Sequence, residues 1–175
     1  GKGTMALITL DNGHDHNRPN TFGQQSLKAF DLAITEAIGR NPEAIGITGK
    51  PFIFAAGADL SGISFLTERS QSLAFGKLGH DVFRRLGESK IPVFSFINGL
   101  ALGGGLEVGL HSHYRTLSST ALTGLPEVFL GLIPGWGGAT ILPKLIGPER
   151  AVQVIVLNAL NNNTMMKAKD ALKLG

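Results

Sequence analysis

Ile97-Asn98-Gly99-Leu100-Ala101-Leu102-Gly103-Gly104-Gly105-Leu106-Glu107 runs from an apolar segment through three consecutive glycines to a carboxylate on an otherwise apolar stretch. Glycine lets a backbone N–H come close to a ligand. A helix that begins at the triplet turns its unpaired N–H groups and its positive dipole end toward the same spot. Peptide donors beside one acid are equipped to hold a developing oxyanion and to move a proton. Upstream, residues 91–97 are continuously apolar apart from Ser95, as in a strand buried on both faces, and 103–111 reads as a short helix. Strand followed directly by helix is the step from which α/β domains are built.

The rest of the chain repeats that step. Residues 6–10 read as a strand, ended by a turn-rich 11–20 segment with an Asn12-Gly13 pair. Leu27, Phe30, Ile34, Ala37 and Ile38 then recur at helical spacing over 24–40, where Asn41-Pro42 stops the helix. Strands are expected over 44–48, 52–55 and 114–118, and a helix carrying Leu73, Lys77, Phe83 and Leu86 through Glu88. Residues 140–157 and 165–174 read as helical, with a polar break over 158–163. Strands alternating with helices give an α/β fold class.

The 175 residues fit one domain over 1–175, with 43% hydrophobic and only 17% charged residues, a composition that argues against disorder. The last residues, Leu174-Gly175, fall inside an amphipathic helical pattern, as they would in a piece of a longer chain. The net charge is +3 and the pI about 9.4, but the basic residues are scattered from Lys2 to Lys173, so no nucleic-acid partner is expected. A mild positive balance suits a small anionic ligand equally well. Without cysteine there is neither a disulfide framework nor a thiolate metal site. The apolar run 93–110 is interrupted by Ser95, Asn98, the glycines and Glu107, so it is no membrane span, and 1–10 carries no signal-peptide pattern. These features lead us to expect a soluble, intracellular, cytoplasmic protein.

Three small-residue segments adjoin strand-like runs: Phe54-Ala55-Ala56-Gly57-Ala58-Asp59-Leu60, the triple glycine, and Pro126-Glu127 with Ile133-Pro134-Gly135-Trp136-Gly137-Gly138. The first can present a peptide N–H at Ala56 and the second at Gly104, and two such donors make an oxyanion hole. Glu107 and Glu127 supply two carboxylates. Buried near each other they do not both ionise cheaply, so one is held neutral as acid while the other serves as base. Taken singly, a glycine cluster marks a tight turn and a lone glutamate is solvated; the joint occurrence favours a site. His111-x-His113 and Gly13-His14-Asp15-His16 lack a third partner at ligand spacing, so no metal is expected. Gly49-Lys50-Pro51 lacks the Ser/Thr of a P-loop; Lys50 reads as a solvated turn charge, with contact to a coenzyme A phosphate as the alternative.

In order along the chain, Asn17-Arg18-Pro19, the 54–60 and 98–107 segments, Pro126-Glu127 and Ile133-Pro134-Gly135 resemble the crotonase, or enoyl-CoA hydratase/isomerase, superfamily. The resemblance implies a crotonase-like spiral of repeated ββα units with flanking helices, its C-terminal helical segment cut short. It implies Ala56 and Gly104 as oxyanion-hole donors, and Ala56, Gly57, Ala58 and Asp59 as the stretch along coenzyme A. Glu107 and Glu127 match the two acids of the hydratases, and Gly135 the amide that holds water. The implied reaction is addition of water to trans-2-enoyl-CoA, giving 3-hydroxyacyl-CoA in fatty-acid β-oxidation, with coenzyme A as part of the substrate and no separate cofactor. The alternatives are another acyl-CoA reaction of the superfamily, such as isomerisation or thioester hydrolysis, and a non-catalytic acyl-CoA- or RNA-binding homologue. A trimer-based homo-oligomer or a β-oxidation complex is the implied assembly. His113-Tyr114-Arg115-Thr116 and Gly135-Trp136-Gly137-Gly138 resemble in particular the hydratase part of multifunctional β-oxidation proteins. There a 3-hydroxyacyl-CoA dehydrogenase follows, whose G-x-G-x-x-G this chain lacks. His113, Trp136 and Ile141 depart from the common pattern of the superfamily.

Overall fold

A computed structural model describes residues 3–15, 17–61 and 67–175. The elements with their bounds are β1 Met5–Leu10, α1 Gln24–Gly39, β2 Ala44–Gly49, β3 Ile53–Ala56, α2 Arg69–Gly87, β4 Val93–Ile97, β5 Leu100–Leu102, α3 Gly104–His111, β6 Tyr114–Leu117 and β7 Leu122–Gly124. A 3-10 turn at Glu127–Leu130 follows, then α4 Gly138–Ile146, α5 Pro148–Val152, a π-helical turn Gln153–Leu157, α6 Asn158–Leu160, β8 Met166–Lys167 and α7 Ala168–Leu174.

The strands form two four-stranded sheets, β1-β2-β4-β6 and β3-β5-β7-β8, and from β2 to β7 successive strands alternate between them. All pairings are parallel except β7 with β8. Between β2 and β7 each turn of the chain thus adds one strand to each sheet and then crosses over, which is the expected spiral of ββα units. Two three-residue strands, β5 and β7, were not expected from the sequence. The predicted helix over 140–157 is divided: Gly147 adopts φ +84° and Pro148 opens a new helix at its first turn.

The core lies between the sheets and the helices. Leu27, Phe30 and Ile34 on one stripe of α1 pack with Phe83 and Leu86 of α2 and with Ile45, Ile47 and Phe54 from the strands. Helix α1 starts where the Gly23 N–H donates to Ser26 Oγ at 2.8 Å. Helix α3 is buried along its whole length, with Glu107 only 2% exposed. Among the described residues no helix is long and apolar enough to cross a membrane.

Two asparagines and a lysine brace the strand ends. Asn98 accepts from the Gly49 N–H at 3.0 Å and donates to the Lys50 carbonyl at 2.8 Å, fastening the end of β4 to the end of β2. Asn20 donates to the carbonyls of Leu10 and Phe54 and accepts from the Asn12 N–H. Lys50 is not a solvated turn charge: it is 4% exposed, and its Nζ donates to Asn12 Oδ1 (2.6 Å), the Asp15 carbonyl (2.7 Å) and the His14 carbonyl (3.1 Å). All three ammonium donors are thereby filled, leaving none for a phosphate.

Candidate active site

Strands β3, β5 and β7 stop level with one another, because Ala56 pairs with Leu102 and Leu102 with Gly124. The segments that leave these ends carry Gly57-Ala58, Gly103-Gly104 and Glu127. Carboxyl ends of parallel strands are where α/β sheets place ligands. A cavity of about 270 Å³ opens there, and its lining includes Ala58, Gly104, Glu107, Glu127, Gly135 and Trp136. Leu132 and Ile133, half or more exposed, give it an apolar mouth.

The glycine triplet is built for close approach. Gly103 sits at φ +50°, and a methyl group there would come within 2.6 Å of Glu127 Oε1. A methyl on Gly105 would overlap the Ala55 carbonyl at 2.0 Å, and one on Gly104 would meet the Trp136 ring at 2.7 Å. Helix α3 therefore packs directly against the end of β3. Its first backbone bond runs from the Glu107 N–H to the Gly103 carbonyl, so the Gly104 N–H, in the first turn, has no partner within the helix.

The second donor is displaced from its expected position. The Ala56 N–H donates to the Asn20 carbonyl at 2.8 Å and is unavailable to a ligand. Ala58 is different: Phe22 donates to the Gly57 carbonyl (2.9 Å), and Asp59 donates to the Phe22 carbonyl (3.0 Å). Flanked by those bonds, the N–H of Ala58 points to the opposite side of the strand and has no partner among the described residues. A methyl built on Gly57 would lie 3.9 Å from the Gly104 nitrogen, so the two free donors stand on adjoining backbones. Ala58 and Gly104 are thus the two N–H groups at these strand ends that have no partner among the described residues. Of the remaining stretch, Gly57 supplies the turn at φ +83°, and Asp59 accepts from the N–H (3.0 Å) and hydroxyl (2.7 Å) of Ser61 rather than lining the cavity.

The two acids differ in their surroundings. Glu107 Oε1 accepts from the N–H groups of Trp136 and Gly138, both at 2.8 Å. Burial pushes its carboxyl up to about 7, aided by the charge of Glu127 and opposed by those two hydrogen bonds. Glu127, at the start of the 3-10 turn, is also pushed up to about 7 by burial, and its Oε2 is buried without a hydrogen-bond partner among the described residues. An orphaned buried oxygen facing a cavity is a group that a ligand completes. Gly135 lies in the same lining.

The histidines serve the fold. His111 Nε2 lies 2.7 Å from the Trp136 carbonyl, and His113 Nδ1 accepts from the Val93 N–H. The other histidine pair includes His16, which lies outside the described residues. Trp136, 6% exposed, has its ring edge-on to Phe22, Phe75 and Phe83 and forms one wall of the cavity.

Over residues 1–175 the sequence matches the family described as enoyl-CoA hydratase/isomerase. The chain belongs to that family, and its fold is the crotonase fold. It is 41% identical over 131 residues to the fatty acid oxidation complex subunit alpha of Shewanella loihica, an alignment of 74% of this chain and 18% of that protein. With the short-chain-enoyl-CoA hydratase of Clostridium acetobutylicum it shares 38% identity over 180 residues, covering 99% of this chain and 64% of the relative. The crystal structure of enoyl-CoA hydratase from Thermoplasma volcanium superposes with a TM-score of 0.87 at 27% identity, over 98% of this chain and 65% of that one. The chain therefore spans less than two thirds of each of these proteins.

Proposed function

We propose that the protein hydrates trans-2-enoyl-CoA thioesters. The observation that carries the reading is the convergence of two unpaired N–H donors, Ala58 and Gly104, with two carboxyls of raised pKa, Glu107 and Glu127, on one cavity. The thioester oxygen accepts from Ala58 and Gly104, so charge that develops there on addition meets fixed donors. Glu107, already holding two N–H groups on Oε1, is the better stabilised carboxylate and takes the proton from water as its oxygen adds to C3. Glu127, with its unpaired Oε2, is held neutral and delivers the proton to C2. Gly135 is placed to orient the water through its amide. No step requires a separate cofactor.

The names of the relatives from Shewanella loihica and Clostridium acetobutylicum support acyl-CoA as the substrate class. The former also favours work within a fatty-acid oxidation complex, for which a homo-oligomer is the simpler alternative. The test is loss of the absorbance of the conjugated thioester on mixing with crotonyl-CoA, with product analysis for 3-hydroxyacyl-CoA. A shifted double bond or free coenzyme A as the main product would replace hydration with isomerisation or thioester hydrolysis.

A further inference from the structure

The loop over 134–138 does two jobs: its Trp136 and Gly138 N–H groups close on Glu107 Oε1, and its Trp136 ring walls the cavity. Within the loop and the turn after it the Pro134 carbonyl accepts from Ala139 and the Gly137 carbonyl from Thr140 and Ile141, which leaves the Trp136 carbonyl without a main-chain partner among the described residues. Gly137 stands at φ +128°, a conformation without intrinsic preference, and Gly135 is exposed. That carbonyl is met by a side chain one helical turn beyond Glu107 on the same helix. His111 is 9% exposed, and its Nε2 lies 2.7 Å from the Trp136 carbonyl. A carbonyl only accepts, so Nε2 carries the proton. A methyl group on Gly137 would lie 2.4 Å from this nitrogen, so the ring is packed flush against the loop.

We propose that His111 is a positioning residue for Glu107: by donating to the Trp136 carbonyl it turns the Trp136–Gly138 peptides so that both N–H groups point at the carboxylate. Its kinetic readout rests on the hydratase reading. The two residues leave α3 on successive turns, so one rigid helix carries both the acid and the clamp for the loop that holds it. The titratable and charged groups facing the ring are His80 and Arg84 of α2 and Glu88 just after it, with the His80 ring edge-on at 5.9 Å. Burial, the largest influence, holds His111 below its ordinary value, so it acts as a neutral donor and not as a charge.

The experiment compares wild type with His111→Met, which fills similar volume without a donor, and His111→Gln, which keeps one. Because the N–H groups of Trp136 and Gly138 favour the ionised form of Glu107, their loosening moves the acid limb of the kcat profile upward. For His111→Met a rise of about one pH unit is expected, which lowers kcat about tenfold on that limb while KM stays within about twofold. His111→Gln restores the wild-type limb. Trp136 is the only tryptophan of the sequence, so its fluorescence reports the loop without turnover. Acrylamide quenching is expected to rise in His111→Met and to stay at the wild-type level in His111→Gln. A His111→Met protein with a wild-type acid limb and wild-type quenching overturns the proposal. Should His111→Met not fold, a His111→Gln protein with a displaced limb overturns it and one with the wild-type limb supports it. If wild type turns over no enoyl-CoA, the hydratase reading fails by itself and the quenching comparison still decides the loop.

Discussion

Two places in this molecule bury ionisable groups, and they are finished differently. At the turn after β2, Lys50 has every ammonium proton placed, two of them on main-chain carbonyls. At the ends of β3, β5 and β7, among the described residues, Glu127 keeps an oxygen with no partner, and Ala58 and Gly104 keep unused N–H groups. A buried charge whose partners are complete stabilises a turn, whereas unfinished partners around a cavity are a standing cost that only a ligand removes. Completeness of hydrogen bonding, rather than burial, separates scaffold from site here.

The comparison breaks most readily at the acids. Glu107→Gln and Glu127→Gln should each lower crotonyl-CoA hydration by about 10²–10⁴ while leaving the protein folded; activity retained in both would sink the acid–base assignment. Gly104→Ala, whose methyl meets the Trp136 ring at 2.7 Å, should displace the donor and reduce kcat by about 10² with a smaller change in KM. Lys50→Met should behave in the opposite sense, losing roughly 2 kcal/mol of stability in denaturant titration, with turnover per folded molecule within about twofold of wild type. A collapse of turnover would place Lys50 in the site after all.

The smallest effect concerns pH. Both glutamates bind a proton more tightly folded than unfolded, with values raised from 4.5 to about 7. The stability they contribute is therefore fully present below about 4.5 and is lost as pH rises through about 7. The double Glu→Gln variant should show a flatter stability profile across that window.

Much of this was legible in the sequence. Helical spacing gave α1, and apolar runs gave β1, β2 and β4. The triple glycine with Glu107, together with Glu127 and Gly135, marked the cavity. What stayed hidden depends on direction rather than composition. Strands β5 and β7 are three residues long, too short for alternation to show. Ala56 and Ala58 are chemically identical, and only the bonding of Phe22 and Asn20 decides which N–H is left without a partner among the described residues. The roles of Lys50 and His111 rest on main-chain carbonyls of distant segments, and a carbonyl leaves no signature in side-chain identity.

The alternation of strands between two sheets also governs how the chain must assemble. Consecutive strands pair only as β1 with β2, across helix α1, and β7 with β8, across the long segment that holds α4 to α6, so among the described residues neither sheet contains a local hairpin from which a ladder could start. Every pairing waits for a crossover or a long return to close, and such closures are slow and leave strand edges open meanwhile. Refolding should be limited by topology, and dilute, cool conditions should favour it over association of unpaired edges.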